Sequence, residues 1–285
     1  MRLPPPEVVA AWPPPNYINP ETRGLALVIV EITILPIVLI ILALRLYVRV
    51  FVVKKPGWDD WLMLLASIFG SGVTICVLLA STLFGWSLHI WDVPPSLLPP
   101  SRQVSLAAQA LFVLATSLAK LSILLSYLRF APRRSAFRRA TYAVAGLLAT
   151  VNTGFLVFLF AQCAPLSSYW RIEHPGARGR CVPEGPPLVA QAVVTVLFDA
   201  AVWVLPLRTL VRTRLPAGQR AAVMGLFGAG AFVVVAAAVR TYWVWWVVEG
   251  TWDVTWEGFE LWIWTAVEVH LGVICGCVPV LKSLV

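Results

Sequence analysis

Charge is scarce in this sequence. Asp, Glu, Lys and Arg make up 13% of the 285 residues, against about 25% in an ordinary soluble domain. Hydrophobic residues make up 59% and the mean hydropathy is +0.82, more apolar surface than a soluble core of this length could use. Long polar stretches are missing too, so no linker or second domain is expected. Three His and five Cys, none grouped at metal-ligand spacing, provide no closed zinc site. A glycine-rich phosphate loop and a nucleophile motif are both lacking, so no nucleotide site or catalytic triad is read. The apolar runs lack period-two alternation and are about twice the length of a barrel strand, which excludes a β-barrel. Residues 1–23 are rich in proline and lack the basic and apolar regions of a cleavable signal. The first span is therefore expected to direct its own insertion.

What remains is seven apolar segments, each near the roughly 20 helical residues needed to cross hydrocarbon. They fall at about 24–47, 61–83, 103–128, 141–161, 188–210, 221–246 and 259–281. The expected fold is all-α, a seven-transmembrane helix bundle over 24–285 preceded by a short, extended Pro-rich arm over 1–23. Charge sets the orientation. Thirteen of the 22 basic residues lie by connection one (Arg45, Arg49, Lys54, Lys55), connection three (Arg129, Arg133, Arg134, Arg138, Arg139) and connection five (Arg208, Arg212, Arg214, Arg220). Basic residues beside spans stay cytosolic, so the N-terminus and arm are expected outside and the C-terminus in the cytosol. Carboxylates agree: Glu7, Glu21, Asp92, Glu173, Glu184, Glu249, Asp253, Glu257 and Glu260 sit on the outer side, and Asp59 and Asp60 within. A net charge of +8 thus faces anionic lipid, and nucleic acid is not an expected partner. The protein is expected as a multi-pass protein of the plasma membrane or an endomembrane.

Several blocks carry a family resemblance. Gly57-Trp58-Asp59-Asp60-Trp61 opens span two, and Phe84-Gly85-Trp86-Ser87-Leu88-His89-Ile90-Trp91 follows it. Leu118-Ala119-Lys120-Leu121-Ser122-Ile123-Leu124 leads to Tyr127-Leu128-Arg129, and Cys163-Ala164-Pro165 precedes Tyr169-Trp170 and Cys181. Asp199 with Leu205-Pro206, Gly228 and Gly230 with Arg240, and Val267-Glu268 ahead of Cys277-Val278-Pro279 complete the set. In this order the blocks resemble the fungal rhodopsin-like family of integral membrane proteins. It includes receptor-like proteins of filamentous fungi linked to surface sensing, and membrane proteins encoded in secondary-metabolite gene clusters. Ser87 stands where a second Gly is usual in the family, and His270 where Asn is common. A retinal Schiff base needs a membrane-embedded Lys, in familiar rhodopsins on span seven. Span seven here has only Lys282 at its edge, so no chromophore or other cofactor is expected.

Embedded charges should face the bundle interior and find partners. Lys120 lies nine residues before Arg129, and Asp199 nine before Arg208; at about 1.5 Å per residue both sit roughly 13 Å in. They are expected to pair, as a brace or as a switch. Glu31 and Glu268 each lie fourteen residues from the inner basic marks Arg45 and Lys282, roughly 21 Å in. With Arg240 and His270 they could line one outer cavity, as a packing network or as a ligand site. The tryptophans are concentrated on the outer half, and Trp243 and Trp262 join the ligand-pocket candidates. His89, Asp92 and His174 are read as loop-fixing groups, with no metal site. Cys163 and Cys181 flank the outer loop after span four, in a compartment that permits disulfides, and are expected to pair; Cys76, Cys275 and Cys277 read as small buried residues. Pro36, Pro206 and Pro279 are expected within spans, as bends. Small residues Gly225, Gly228, Ala229 and Gly230 on span six permit close helix approach.

Arg133, Arg134, Arg138, Arg139, Arg212 and Arg214 form an expected cytosolic basic face for lipid phosphate, or for a G protein or other acidic cytosolic partner. The leading functional expectation is a G-protein-coupled-receptor-like sensor of a small hydrophobic cue. The alternative is a membrane-embedded enzyme or accessory protein acting on a lipophilic secondary metabolite, with Lys120, Asp199, Glu268 and His270 as acid and base. A transporter ranks last, since no inverted repeat is evident.

Overall fold

Several helix starts are set by proline or by small capping groups, and all but that of α1 run further out than the apolar runs alone imply. In the computed structural model, residues 4–131, 135–170, 180–207 and 217–281 are described. Seven helices there are long and apolar enough to cross a membrane: α1 Ala26–Tyr47, α2 Trp58–Leu83, α3 Leu98–Phe130, α4 Ala136–Ala161, α5 Gly185–Val204, α6 Ala217–Trp245 and α7 Val254–Leu281. Prolines occupy the first turn of α3 and of α5, where a missing N–H costs nothing and the fixed φ suits the helix. That moves the α3 start out to Leu98 from an expected 103. Ser135 caps α4 by accepting from the Arg138 N–H at 3.2 Å, and the Gly57 N–H donates to the Asp60 carboxylate at 3.0 Å to open α2.

Helix ends carry two corrections. Pro206 lies beyond α5, which closes at Val204, because a proline has no N–H to continue the hydrogen-bond ladder; Pro36 and Pro279 sit inside α1 and α7. Single π-helical turns, Val48–Val52 and Trp246–Gly250, extend α1 and α6.

The helices close a ring in chain order, α7 returning to α1, with α3 and α7 touching across the middle. One apolar core joins Leu27, Val73, Phe112 and Trp262; a second joins Val38, Met63, Val273 and Cys277. Ile29, Val157 and Leu197 are more than half exposed, as lipid-facing positions of a bundle should be. Of the three α6 glycines named above, Gly230 makes a close approach, since a Cβ there would lie 2.8 Å from the Trp203 ring; Gly225 and Gly228 face open space.

Connections α1–α2, α3–α4 and α5–α6 share one end of the bundle, here the arginine end. At the opposite end, β1 Cys163–Ala164 pairs antiparallel with β2 Arg180–Cys181, and Cys163 and Cys181 are disulfide-bonded. The arm is not simply extended. It makes a helical turn at Pro6–Ala10, then is tied down by Asn16 N–H to Asp92 (2.8 Å), a Thr22–Leu88 bridge, and Arg23 to Glu260 (3.1 Å).

Candidate functional site

Two buried ion pairs meet at mid-depth. Lys120 of α3 lies with its Nζ 3.0 Å from Asp199 Oδ2 of α5, both side chains under a tenth exposed. Arg240 of α6 donates through Nε to Glu268 Oε2 of α7 at 2.6 Å, and its guanidinium lies 4.3 Å from the Phe112 ring centroid. Lys120, Asp199 and Glu268 line one void of about 70 Å³ with Thr116, Trp203 and Gly230. That is room for a few waters.

Glu31 and His270 form a different network. Thr74 of α2 donates to Glu31 Oε2 at 2.7 Å, and His270 Nε2 lies 3.1 Å from the same oxygen and 3.1 Å from Thr74 Oγ1. The separation from Glu268 follows from helix geometry, because residues two apart diverge by about 200° around the axis. Trp243 packs edge-on to Tyr242 at 5.6 Å.

The larger cavity, about 380 Å³, opens nearer the disulfide end among α3 to α7. Its walls are mainly apolar, including Phe112, Val113, Phe155, Leu159, Val244 and Leu261, with Pro186 and Pro187 at the α5 start. Of the six pocket candidates from the sequence, Arg240 and Trp262 line it, while Glu31, Trp243, Glu268 and His270 do not. The rim is braced: Tyr169, in the turn that follows Cys163, donates to Glu184 at 2.6 Å, and Arg102 stacks 4.4 Å from the Tyr169 ring centroid. Burial pushes the Tyr169 phenol above its ordinary value, and the Glu184 carboxylate adds to the shift, with Arg102 opposing.

One cluster is not expected from the sequence, and the loop-fixing role expected of His89 takes a definite form. At the arginine end, Arg45, counted as a connection residue from its charge, is fully buried in the last turn of α1. It donates to Asp60 (3.0 Å), to Asp59 (3.1 Å) and to the Gly276 carbonyl (2.6 Å). Arg49 and Arg129 complete the cluster on Asp59, at 3.6 and 2.6 Å. Ser126 donates to Asp59 Oδ2 at 3.1 Å. Gly57 leaves room for the Arg129 guanidinium, since a Cβ would sit 1.5 Å from Arg129 Nη2 and displace it. The signal available was the Asp59-Asp60 pair facing arginines four apart. At the other end, the His89 ring is sandwiched between Trp91 and Trp256, with centroids at 4.5 and 3.8 Å, and bonds Asp253. His89 thereby clamps the α2–α3 connection to the start of α7.

The sequence family described as the fungal rhodopsin domain matches residues 44–285. The chain belongs to this fungal rhodopsin family. It is similar to fugralins biosynthesis cluster protein 2 of Gibberella zeae, 26% identical over 94% of this chain and 67% of the relative. It is also similar to wortmanamides biosynthesis cluster protein C of Talaromyces wortmannii, 25% identical over 87% of this chain and 67% of the relative. A SAT4 family membrane protein of Emericella nidulans is 27% identical over 81% of this chain and 55% of its own length. The chain is thus a multi-pass membrane protein that spans about half to two thirds of these relatives.

In this fungal rhodopsin-family chain, the lysine on α3 is occupied by Asp199 beside a void of water size, which does not fit a Schiff-base polyene. No group of three His, Cys, Asp or Glu able to hold a metal occurs among the described residues. On the basic face, Arg138 donates to Tyr142 at 3.0 Å and Arg139 is exposed. Arg133, Arg134, Arg208, Arg212, Arg214, His174 and Lys282 lie outside the described residues.

Proposed function

We propose that this protein is a receptor-like sensor of a small lipophilic molecule, held with the arm and disulfide outside and the arginine end in the cytosol of a plasma membrane or endomembrane. The observation that carries the reading is the cavity of about 380 Å³, apolar-walled, with Arg240 on its wall and bonded to Glu268 of α7. A lipophile entering there meets an element that runs to the arginine end. The basic connections would then present a face to a G protein or another acidic partner. The names of two relatives, which place them in biosynthesis clusters, support a cue or substrate from secondary metabolism.

The enzyme reading is supported by those same names and weakened by geometry. Its acid and base candidates Lys120, Asp199 and Glu268 border the small void, His270 lies in a separate network, and none lines the large cavity. The test uses purified protein in nanodiscs with candidate lipophiles, read by native mass spectrometry and by nucleotide exchange on an added fungal Gα subunit. Sensing requires a bound lipophile that is lost in Ser105→Phe, which fills the cavity, and exchange that depends on it. Product formation by wild-type membranes that stops in Asp199→Asn or Glu268→Gln, with the fold intact, would replace the sensor with the enzyme.

A further inference from the structure

The large cavity is apolar over most of its wall, but its unmet hydrogen-bonding capacity is one-sided. Arg102 Nε, Arg240 Nη2 and Trp262 Nε1 belong to residues that line it, and each is a buried N–H without an acceptor in the protein. Arginine and tryptophan side chains can only donate. Arg240 and Trp262 are 4% and 5% exposed, so neither donor turns to bulk water instead. Gln162, also on the wall and 3% exposed, has an unpaired amide nitrogen. The converse does not occur: among the described residues that line this cavity, no side-chain oxygen is buried without a donor. The oxygen left unmatched nearby, Glu268 Oε1, belongs to a residue that borders the small void.

Buried polar groups are normally satisfied, and those that are not call for an explanation such as an absent ligand. A ligand that filled this cavity with hydrocarbon alone would leave every one of these donors unmet. One that brought only amine or ammonium donors would do the same. Arg240 already spends Nε on Glu268, so its Nη2 edge is the part left for an incoming acceptor. We infer that the lipophile recognised here is an acceptor-bearing acid, an apolar body with a carboxylate or an equivalent anionic oxygen group that lies against Arg240 and Trp262. This rests on the binding role proposed above and names its ligand class. Charge-assisted bonds to an anionic oxygen are about twice as strong as neutral ones, which makes this head group the discriminating feature and the tail the permissive one.

The test compares three probes with one conjugated tail, cis-parinaric acid, its methyl ester and the corresponding amine. Each is titrated into nanodisc-embedded protein and read by energy transfer from tryptophan, with Ser105→Phe as the cavity-filled baseline. The acid should bind at least about tenfold more tightly than the ester, and the amine should not rise above baseline. Trp262→Phe keeps the ring and removes the donor; it should weaken the acid several-fold and leave the ester unchanged. Arg240→Lys, which preserves a charge for Glu268, should erase most of the acid preference. If all three probes bind alike, and lose that binding in Ser105→Phe, the cavity is a ligand site but the acid inference is overturned. If none exceeds the Ser105→Phe baseline, both the inference and the binding role fail.

Discussion

Removing Lys120 alone should destabilise the bundle far more than removing Lys120 and Asp199 together. In Lys120→Met, the Asp199 carboxylate keeps its burial and loses the ammonium 3.0 Å away. It can escape only by taking up a proton. An aspartic acid with the ordinary pKa of about 3.9 costs about 4 kcal/mol to keep protonated at pH 7, at about 1.36 kcal/mol per unit. That figure falls within the ~3–5 kcal/mol typical of breaking a buried pair by deleting one partner. Lys120→Met with Asp199→Leu removes both charges and restores apolar volume, so it should lie within about 1.5 kcal/mol of wild type. Asp199→Leu alone strands the buried ammonium and should cost about 3–5 kcal/mol as well, so the cycle gives a coupling of at least about 4 kcal/mol, well above the ~0.5 kcal/mol scatter of independent sites. The three free cysteines supply the assay, because Cys277 is buried and Cys76 and Cys275 are partly so; a thiol-reactive dye reports their exposure during unfolding in mixed micelles. The Lys120→Met deficit should shrink as pH falls from 7 towards 4, since protonation then costs less. A double variant as unstable as the sum of the singles would refute the pairing argument, as would a Lys120→Met loss below about 1 kcal/mol at pH 7.

Cys163→Ser with Cys181→Ser should cost about 3 kcal/mol by loop-closure entropy over their separation of 18 residues, measured in the same dye assay. Arg45→Lys should cost about 3 kcal/mol or more, because an ammonium cannot reproduce a fully buried fork that reaches Asp59, Asp60 and the Gly276 carbonyl. Gly57→Ala should displace the Arg129 guanidinium and cost about 1 kcal/mol, since Arg129 is partly exposed; the same change made in Arg129→Ala should cost less, the remaining close contact being Asp59 Oδ1 at 2.8 Å. For Tyr169 the folded phenol titrates above its unfolded value of about 10. Its contribution is therefore constant below pH 10 and declines as pH rises beyond it. The alkaline loss of stability should be smaller in Tyr169→Phe, and an unchanged alkaline limb would count against the shift.

The parts of this structure that were legible in the sequence are those that depend on height in the bundle. Helical rise from a basic edge puts Lys120 and Asp199 level, and that arithmetic needs only residue counts. Azimuth is a different quantity. Counting sets Glu31, Glu268 and His270 near one height, but His270 turns to Glu31 and Thr74 while Glu268 turns to Arg240. Which way each α7 face points is decided by the neighbours α1, α2 and α6, and no local pattern encodes it. Arg45 and Arg49 were misread for a related reason. A basic residue at a span end is ordinarily solvated, and only the adjacent start of α2, with Asp59 and Asp60 each 2% exposed, makes burial favourable. Proline had a legible rule that apolar-run reading overlooks, since prolines open α3 and α5 and Pro206 follows the end of α5.

Azimuth also decides which helix could carry a message from cavity to cytosolic face. Three polar tiers are buried in the bundle, and the helices contribute to them unequally. α1 and α2 reach the Glu31 tier and the Asp59–Asp60 tier. α3 reaches the Lys120–Asp199 tier through Lys120, and Asp59 through Ser126 and Arg129. Among the described residues α7 alone touches all three, through His270, Glu268 and the Gly276 carbonyl held by Arg45. A ligand that drew Arg240 away from Glu268 would leave a carboxylate buried beside Asp199, a cost that a rotation or rise of α7 would relieve where protonation does not. Either motion strains the Arg45 bond to Gly276, where Met63 and Ile123 already crowd the backbone. The receptor reading therefore places its moving part on α7, and an Arg45 substitution should uncouple ligand binding from exchange on Gα while leaving the cavity able to bind.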